Sequence, residues 1–461
     1  MLIRSIHPWA MGLIGLAMGF GVQAVSQADE LPRSAAFGAQ LGPVTADLAA
    51  EQKLGSNEGV HVVKVVAESA AEKGGLKADD VILRVGDKAT PNVQAFLATM
   101  RRAKAGEVLA LEIVRAGKPM PLAITLGSKP KESSDAYSVT YGEVATKAGR
   151  LRTIVTRPKG DGPFPAFYII QGLGGFTIEN PPAGPGVYQP FVEKFARSGF
   201  VTIRVDKPGQ GDSEGGPTQD VDFETELDGY IQTLKMASKL DFVDPKRIVI
   251  FGHSMGGIMG PLAAKEVPVK GIAVFGTGSK TWNEYLLENV RRQMALEGAP
   301  ASEIDEALRQ DAAIYHMVDF GGKSPAEVAS AHPELADRIA ALYDDGKYYS
   351  GRHFVFFRQL SKRNLAEAWE KFGGHALAVW GEADFVSSKA EHQLIAEIVE
   401  KSGKGRGRFV SLERTDHGIH FAESQADARA RFGQPGAEFN PAFLELLYSW
   451  AVEITGEGSK P

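Results

Sequence analysis

Ser254 is the residue around which chemistry could be organised. It lies in Gly252-His253-Ser254-Met255-Gly256-Gly257, directly after the apolar run Ile248-Val249-Ile250-Phe251 and ahead of a small-residue segment able to start a helix. Gly-x-Ser-x-Gly between a strand and a helix makes a sharp turn that lifts the hydroxyl clear of the sheet. The flanking glycines are needed because the serine takes a strained backbone conformation and larger neighbours would collide with it. The helix N-terminus behind the turn favours developing negative charge. A serine hydroxyl is a weak nucleophile without a base, and a histidine base needs an acid to hold its tautomer. Downstream, Arg414-Thr415-Asp416-His417-Gly418-Ile419-His420 supplies His417 and His420, and Val379-Trp380-Gly381-Glu382-Ala383-Asp384 supplies Glu382 and Asp384. The chain has no cysteine, which excludes a thiol nucleophile, a disulfide framework and a thiolate metal site. His253 occupies the variable position of the turn, and His316, His332 and His353 fall at no metal-binding spacing. Neither a metal nor another cofactor is expected.

These residues need a scaffold, and the periodicity predicts one. Strand and helix signals alternate from residue 137 onward: a strand pair over 139–146 and 150–157, then strand 166–170, helix 188–198, strand 200–205, helix 223–240 and strand 247–251. After a strand at 271–275 the alternation resumes with strand 376–380, helix 391–401, strand 409–412 and a closing helix over 441–454. Such alternation predicts a mostly parallel sheet wrapped by helices. The intervening stretch, about 277–372, is helical and charged and reads as a lid. Its Trp282, Tyr285, Tyr315, Phe354, Phe356 and Phe357 either line an acyl pocket or form the lid's own core.

This carboxyl-terminal part resembles the α/β-hydrolases. Besides the serine turn, Asp206-Lys207-Pro208-Gly209-Gln210-Gly211-Asp212-Ser213 matches their Asp-x-x-Gly-x-Gly-x-Ser loop, which shapes the chain without doing chemistry. Ile169-Ile170-Gln171-Gly172-Leu173-Gly174-Gly175 resembles their His-Gly-x-Gly-Gly strand, with Gln171 in place of the histidine. The resemblance implies a Ser254, Asp384 and His417 set in that chain order, with Glu382 and His420 as competitors. It also implies an oxyanion hole built from the backbone N–H groups of Leu173 and Met255.

The segment before it is a different kind of module. Short β-branched strands at 60–66, 81–85 and 108–115 are separated by glycine turns, with one helix at 93–102. Gly74-Gly75-Leu76-Lys77-Ala78-Asp79-Asp80-Val81-Ile82-Leu83-Arg84-Val85-Gly86-Asp87 is similar to the PDZ domains attached to periplasmic serine proteases. The resemblance puts Phe37, Gly38, Ala39 and Gln40 in the loop whose backbone N–H groups could hold a peptide's terminal carboxylate. A PDZ fold that only packs on its neighbour is the alternative.

The expected class is therefore α/β: an α/β-hydrolase sheet with flanking helices and a helical lid, preceded by a small β-rich PDZ domain. Its parts are a signal peptide over 1–28, the PDZ domain over 34–127, a polar linker over 128–136 and the hydrolase domain over 137–456. Arg4, the apolar stretch 9–25 and the small residues Ser26-Gln27-Ala28 have the layout of a secretory signal, with cleavage after Ala28 and, in a Gram-negative bacterium, a periplasmic destination. A retained membrane anchor is the alternative. A net charge of −6 over 461 residues, without a basic block, argues against nucleic acid as a partner. The expected reaction is hydrolysis of a carboxylic ester through an acyl-enzyme. A serine peptidase fed by the PDZ domain is the rival, and an inert scaffold in which only the PDZ domain binds is a third.

Overall fold

The computed structural model describes residues 31–100, 103–180, 186–434 and 436–456. The segment read as an export signal lies outside them, as do Arg101 and Arg102 at the end of the helix expected over 93–102. Among the described residues no helix is long and apolar enough to cross a membrane.

Every residue of Phe164–Ile170 and of Val201–Val205 is buried, the signature of a strand covered on both faces. The two-residue period divides the side chains between two cores. Ala166, Tyr168 and Ile170 pack with helices Phe223–Ala237 and Met255–Ala264, while Phe167 and Ile169 pack with Gln189–Arg197 and Pro441–Thr455. The resulting eight-stranded sheet runs in the order Gly407–Leu412, His375–Gly381, Gly271–Phe275, Val243–His253, Phe164–Ile170, Val201–Val205, Gly149–Pro158, Tyr137–Thr146. The first six strands are parallel; the last two join antiparallel at the edge. The chain starts the parallel set at Phe164–Ile170, adds Val201–Val205 on one side and all later strands on the other. The switch point therefore falls between Phe164–Ile170 and Val243–His253, where open α/β sheets bind ligands beyond the carboxyl ends of their strands.

Between Gly271–Phe275 and His375–Gly381 the chain makes a run of helices from Trp282–Leu296 to Leu365–Glu370. A two-residue hairpin, Tyr348–Tyr349 with Arg352–His353, interrupts it.

The amino-terminal module is an antiparallel sheet in the order Ala39–Pro43, Val60–Val65, Val81–Val85, Val108–Arg115, Lys118–Thr125, with Lys88–Ala89 paired to Val81–Val85. Helix Val93–Met100 closes its core through Phe96, which meets Phe37 edge to face at 4.9 Å between ring centroids.

The stretch between the two sheets, expected as a polar linker, has no regular structure beyond Ser128 but is pinned down. The Glu132 carboxylate pairs with the buried Arg204 guanidinium at 2.9 Å and accepts hydrogen bonds from Asn180. On the other side of the junction, Asp212 accepts from the Ser34 N–H at 2.6 Å and the Ser34 hydroxyl at 2.7 Å, and it pairs with both Arg33 and Arg152. Glu179 binds the same two arginines, and Arg152 also pairs with the fully buried Asp206.

Candidate active site

The turn at Ser254 has the conformation its flanking glycines suggest. Ser254 sits at φ +54°, ψ −119°, in the region L-residues avoid. A Cβ on Gly256 would fall 2.0 Å from the Ile170 carbonyl oxygen, and one on Gly252 would fall 2.5 Å from that of Gly256. The Ser254 N–H donates to the Phe275 carbonyl at 2.8 Å, and Met255 begins the Met255–Ala264 helix, whose N-terminus has no side-chain cap and whose Gly257 N–H donates to the Ser254 carbonyl at 2.9 Å.

Three side chains from three strand ends meet here. Ser254 Oγ lies 3.1 Å from His417 Nε2, and His417 Nδ1 lies 3.0 Å from Asp384 Oδ2. A carboxylate only accepts, so Nδ1 carries the proton and Nε2 accepts from the serine hydroxyl. Asp384 is fully buried and also accepts from the N–H groups of Val386 and Ser387 and from the Ser387 hydroxyl. Burial would raise its pKa, but the His417 charge and these hydrogen bonds outweigh that and hold it down to about 2. For His417 the order is reversed: burial lowers the imidazole pKa, and the Asp384 charge and hydrogen bond bring it above its ordinary value. The competitors sit elsewhere. Glu382 is exposed and accepts from Ser411 Oγ at 2.9 Å, and His420 faces Asp416 at 3.5 Å.

Gly172 and Leu173 follow the neighbouring strand across the switch point, and a Cβ on Gly172 would stand 3.8 Å from Ser254 Oγ. Two buried cations hold this loop. Lys207 Nζ donates to the Gly172 carbonyl, and Arg352 Nη1 donates to the Leu173 carbonyl at 3.4 Å. Both pair with one buried carboxylate, Glu226, at 3.1 Å from Lys207 and 2.6 Å from Arg352. The Gly172 carbonyl and the Leu173 N–H belong to the same peptide group, so the lysine polarises that N–H into a stronger donor. Burial lowers the Lys207 pKa to about 8 despite Glu226, leaving the ammonium predominantly charged at neutral pH.

His253 has a role its position in the motif does not reveal. Its Nε2 lies 2.8 Å from the His417 carbonyl and must donate to it; its Nδ1 then accepts from the Tyr188 hydroxyl at 3.2 Å, and that hydroxyl accepts from the Gly172 N–H at 3.3 Å. Burial, followed by the nearby His417 charge, lowers the His253 pKa to about 4 and keeps the ring neutral. One line of hydrogen bonds thus ties the Gly172 loop, the serine turn and the histidine loop together. The segment leaving Gly271–Phe275 is held similarly: Thr277 N–H donates to His392 Nε2 at 3.1 Å, and Lys280 N–H donates to Glu391 at 2.9 Å.

A cavity of about 250 Å³ opens at Ser254, walled by Trp282, Tyr285, Tyr349, Phe357 and Phe385. Of the lid aromatics named from sequence, Trp282, Tyr285 and Phe357 form this wall, with Trp282 stacked between the other two at 4.9 and 5.4 Å. Phe356 and Tyr315 pack in the main core and Phe354 against the lid's own cluster.

In the amino-terminal module, Gly38 takes φ +85° at the start of the outer strand, where a Cβ would meet that of Ser69 at 2.2 Å. The Phe37 carbonyl accepts from Ala71 N–H and the Gly38 carbonyl from Val66 N–H. Ala39 and Gln40 begin the outer strand, pairing with Val65 and Lys64 on its inner side.

A model of the alpha/beta hydrolase family matches residues 174–432, more than half of the chain and inclusive of Ser254, Asp384 and His417; a PDZ domain model matches residues 20–114. Among curated relatives, the quorum-quenching protein AidA of Acinetobacter baumannii is 34% identical over 101 residues, covering 22% of this chain and 31% of its own. Esterase EstD of Thermotoga maritima is 22% identical over 206 residues, 44% of this chain and 49% of its own. A probable periplasmic serine endoprotease of the DegP-like type from Chlamydia pneumoniae is 35% identical over 96 residues, 21% of this chain and 20% of its own. The chain thus spans from a fifth to a half of the length of these relatives. Among solved structures, the thermostable carboxylesterase EstE1 from a metagenomic library covers 72% of this chain and 92% of its own at 18% identity and a TM-score of 0.41.

Proposed function

Because the chain belongs to the α/β-hydrolase family and carries a PDZ domain ahead of its hydrolase sheet, we propose that it is an exported serine hydrolase cleaving a carboxylic ester. The observation that carries this reading is the hydrogen-bonded line Ser254–His417–Asp384 at the switch point. Ser254 Oγ attacks the ester carbonyl as His417 Nε2 takes its proton, and Asp384 orients the ring and stabilises the imidazolium. The oxyanion is received by the N–H groups of Leu173 and Met255, donors of a kind that contribute roughly 3–4 kcal/mol each. His417 then protonates the leaving oxygen, and water, activated by the same imidazole, releases the acid. The scheme requires no cofactor.

The small aromatic cavity beside Ser254 supports an ester with a compact apolar acyl group, and the similarity to EstD, named an esterase, supports the same class. Export is supported by the likeness of the amino-terminal module to proteins named periplasmic. That same likeness favours a second reading, a serine peptidase to which the loop Phe37–Gly38–Ala39–Gln40 delivers peptide carboxyl termini. Short-chain nitrophenyl esters and peptidyl anilides, assayed side by side on the full chain with a fluorophosphonate probe, separate the two. The expected result is ester turnover with the probe on Ser254. Turnover of the anilides alone would replace the ester reading by the peptidase one, and labelling at another residue would remove Ser254 from the scheme.

The pH profile tests the base. His417 accepts the serine proton only when neutral, and Asp384 favours its charged form. The acid limb of kcat/KM is therefore expected to have its midpoint above 6.5. Asp384→Asn removes that stabilisation and should move the limb to lower pH. A limb unmoved by this change would assign it to another group.

A further inference from the structure

Leu173 and Ser350 line two cavities at once. One is the aromatic cavity at Ser254; the other is a crevice of about 970 Å³ whose chemistry is the opposite. Its floor is glycine-rich: Gly174 and Gly175 beside Leu173, and the turns 209–211 and 215–219. The lid contributes Ser350–Arg352, and the facing wall is the PDZ domain, through Ala98, Met100 and Lys104, continued by Lys129 of the stretch that follows it. Among the described residues no carboxylate lines it, although the whole chain carries a net charge of −6. Among the described residues no ion pair engages Lys104 or Lys129, and beneath the floor Lys207 and Arg352 share the single carboxylate of Glu226. Such a surface, flanked by two ammonium groups of which Lys104 feels only the longer-range charge of Glu214, attracts an anion, and the lining itself carries no carboxylate to repel it.

We propose that this crevice is the leaving-group side of the active site, and that the substrate joins a compact apolar acyl group to a large, polar, anionic alcohol held between the PDZ domain and the hydrolase sheet. The proposal rests on Ser254 being the nucleophile. In the step it concerns, the Ser254 Oγ–acyl bond forms, the ester C–O bond breaks, and the departing oxygen takes the proton from the His417 imidazolium and leaves toward Leu173 and Ser350. The PDZ domain is then a wall of the substrate site, in addition to anything its outer strand binds.

The test holds the acyl group constant and varies the charge of the leaving group. Butyrate esters of 4-nitrophenol and of 3-carboxy-4-nitrophenol are compared on the full chain, each followed by its released phenol. The carboxylated ester is expected to have the higher kcat/KM. The double reversal Lys104→Glu with Lys129→Glu should lower the ratio of the two kcat/KM values about tenfold at low salt, an effect that shrinks as salt rises. The milder pair Lys104→Gln with Lys129→Gln should give an intermediate loss. Reversal of Lys401 and Lys404, exposed residues that line neither cavity, changes net charge equally and should leave the ratio alone. An unchanged ratio in both crevice variants, or equal loss in the Lys401 and Lys404 control, overturns the crevice assignment while leaving Ser254 in place. Absence of turnover of either ester by the unmodified chain overturns the nucleophile reading, and this proposal with it.

Discussion

Alanine at Ser254 is expected to lower kcat for a small ester by about a million-fold, and alanine at His417 by about as much, with the double variant little worse than either. In the proposed scheme Ser254 and His417 act as one unit: without the hydroxyl the imidazole has nothing to activate, and without the imidazole the hydroxyl keeps its proton. The residual rate should come from the N–H groups of Leu173 and Met255, which neither change touches. Asp384→Asn should cost about ten-thousand-fold, because an amide at the Nδ1 side favours the wrong tautomer of His417. Ser254→Ala keeps a Cβ at the same strained φ, so the thermal midpoint should hold. Steady-state rates measured beside melting curves check this, and a loss of less than a hundredfold on Ser254→Ala with intact folding would rule the serine out as nucleophile.

The second large effect is on stability. Arg152→Met should destabilise the chain by about 3–5 kcal/mol, the range for removing one partner of a buried ion pair. Arg152 is 2% exposed and pairs with Asp206, Asp212 and Glu179. Burial already pushes the Asp206 pKa up against the pull of that guanidinium. Without it the carboxyl keeps only backbone and hydroxyl donors, and folding must either bury a lone charge or protonate it. Arg33 still reaches Asp212 and Glu179, so the loss centres on Asp206. Urea unfolding of the two proteins gives the difference directly, and a shift below about 1 kcal/mol would show that the cluster is stabilised by its carboxylates' other partners.

What could be read from sequence and what could not follow from how far apart the interacting residues lie. The Ser254 turn is legible because its strand, glycines and helix are contiguous. The sheet is legible because most of its central strands, such as Phe164–Ile170 and Gly271–Phe275, are buried along their length and leave nearly continuous apolar runs. Asp384 and Glu382 are two residues apart at one strand end; the family resemblance prefers Asp384, and the physical difference is where the chain turns next: Glu382 faces Ser411 on the outside, while Asp384 folds under to accept from Val386 and Ser387. The charged cluster of Lys207, Glu226 and Arg352 joins a turn, a helix and the lid, with Glu226 and Arg352 separated by 126 positions. No local pattern announces that contact. The pinned junction escaped for the same reason, since a polar stretch reads as a tether until Arg204 is seen beside Glu132. Short helices such as Ala46–Glu51 and Gln425–Arg431 are too brief for periodicity and are marked only by their caps, Thr45 and Ser424.

The line of hydrogen bonds from Gly172 through Tyr188 and His253 to the His417 carbonyl changes what counts as the heritable unit of this site. Position 253 is conventionally free in the serine motif, yet here it needs a neutral ring with a donor on one side and an acceptor on the other. A designer transplanting the hexapeptide into a new scaffold would carry over the serine turn and leave behind the brace that spaces it from His417. The portable module is four residues drawn from separate segments, and a library that diversifies His253 alone breaks its contacts to the Tyr188 hydroxyl and the His417 carbonyl together.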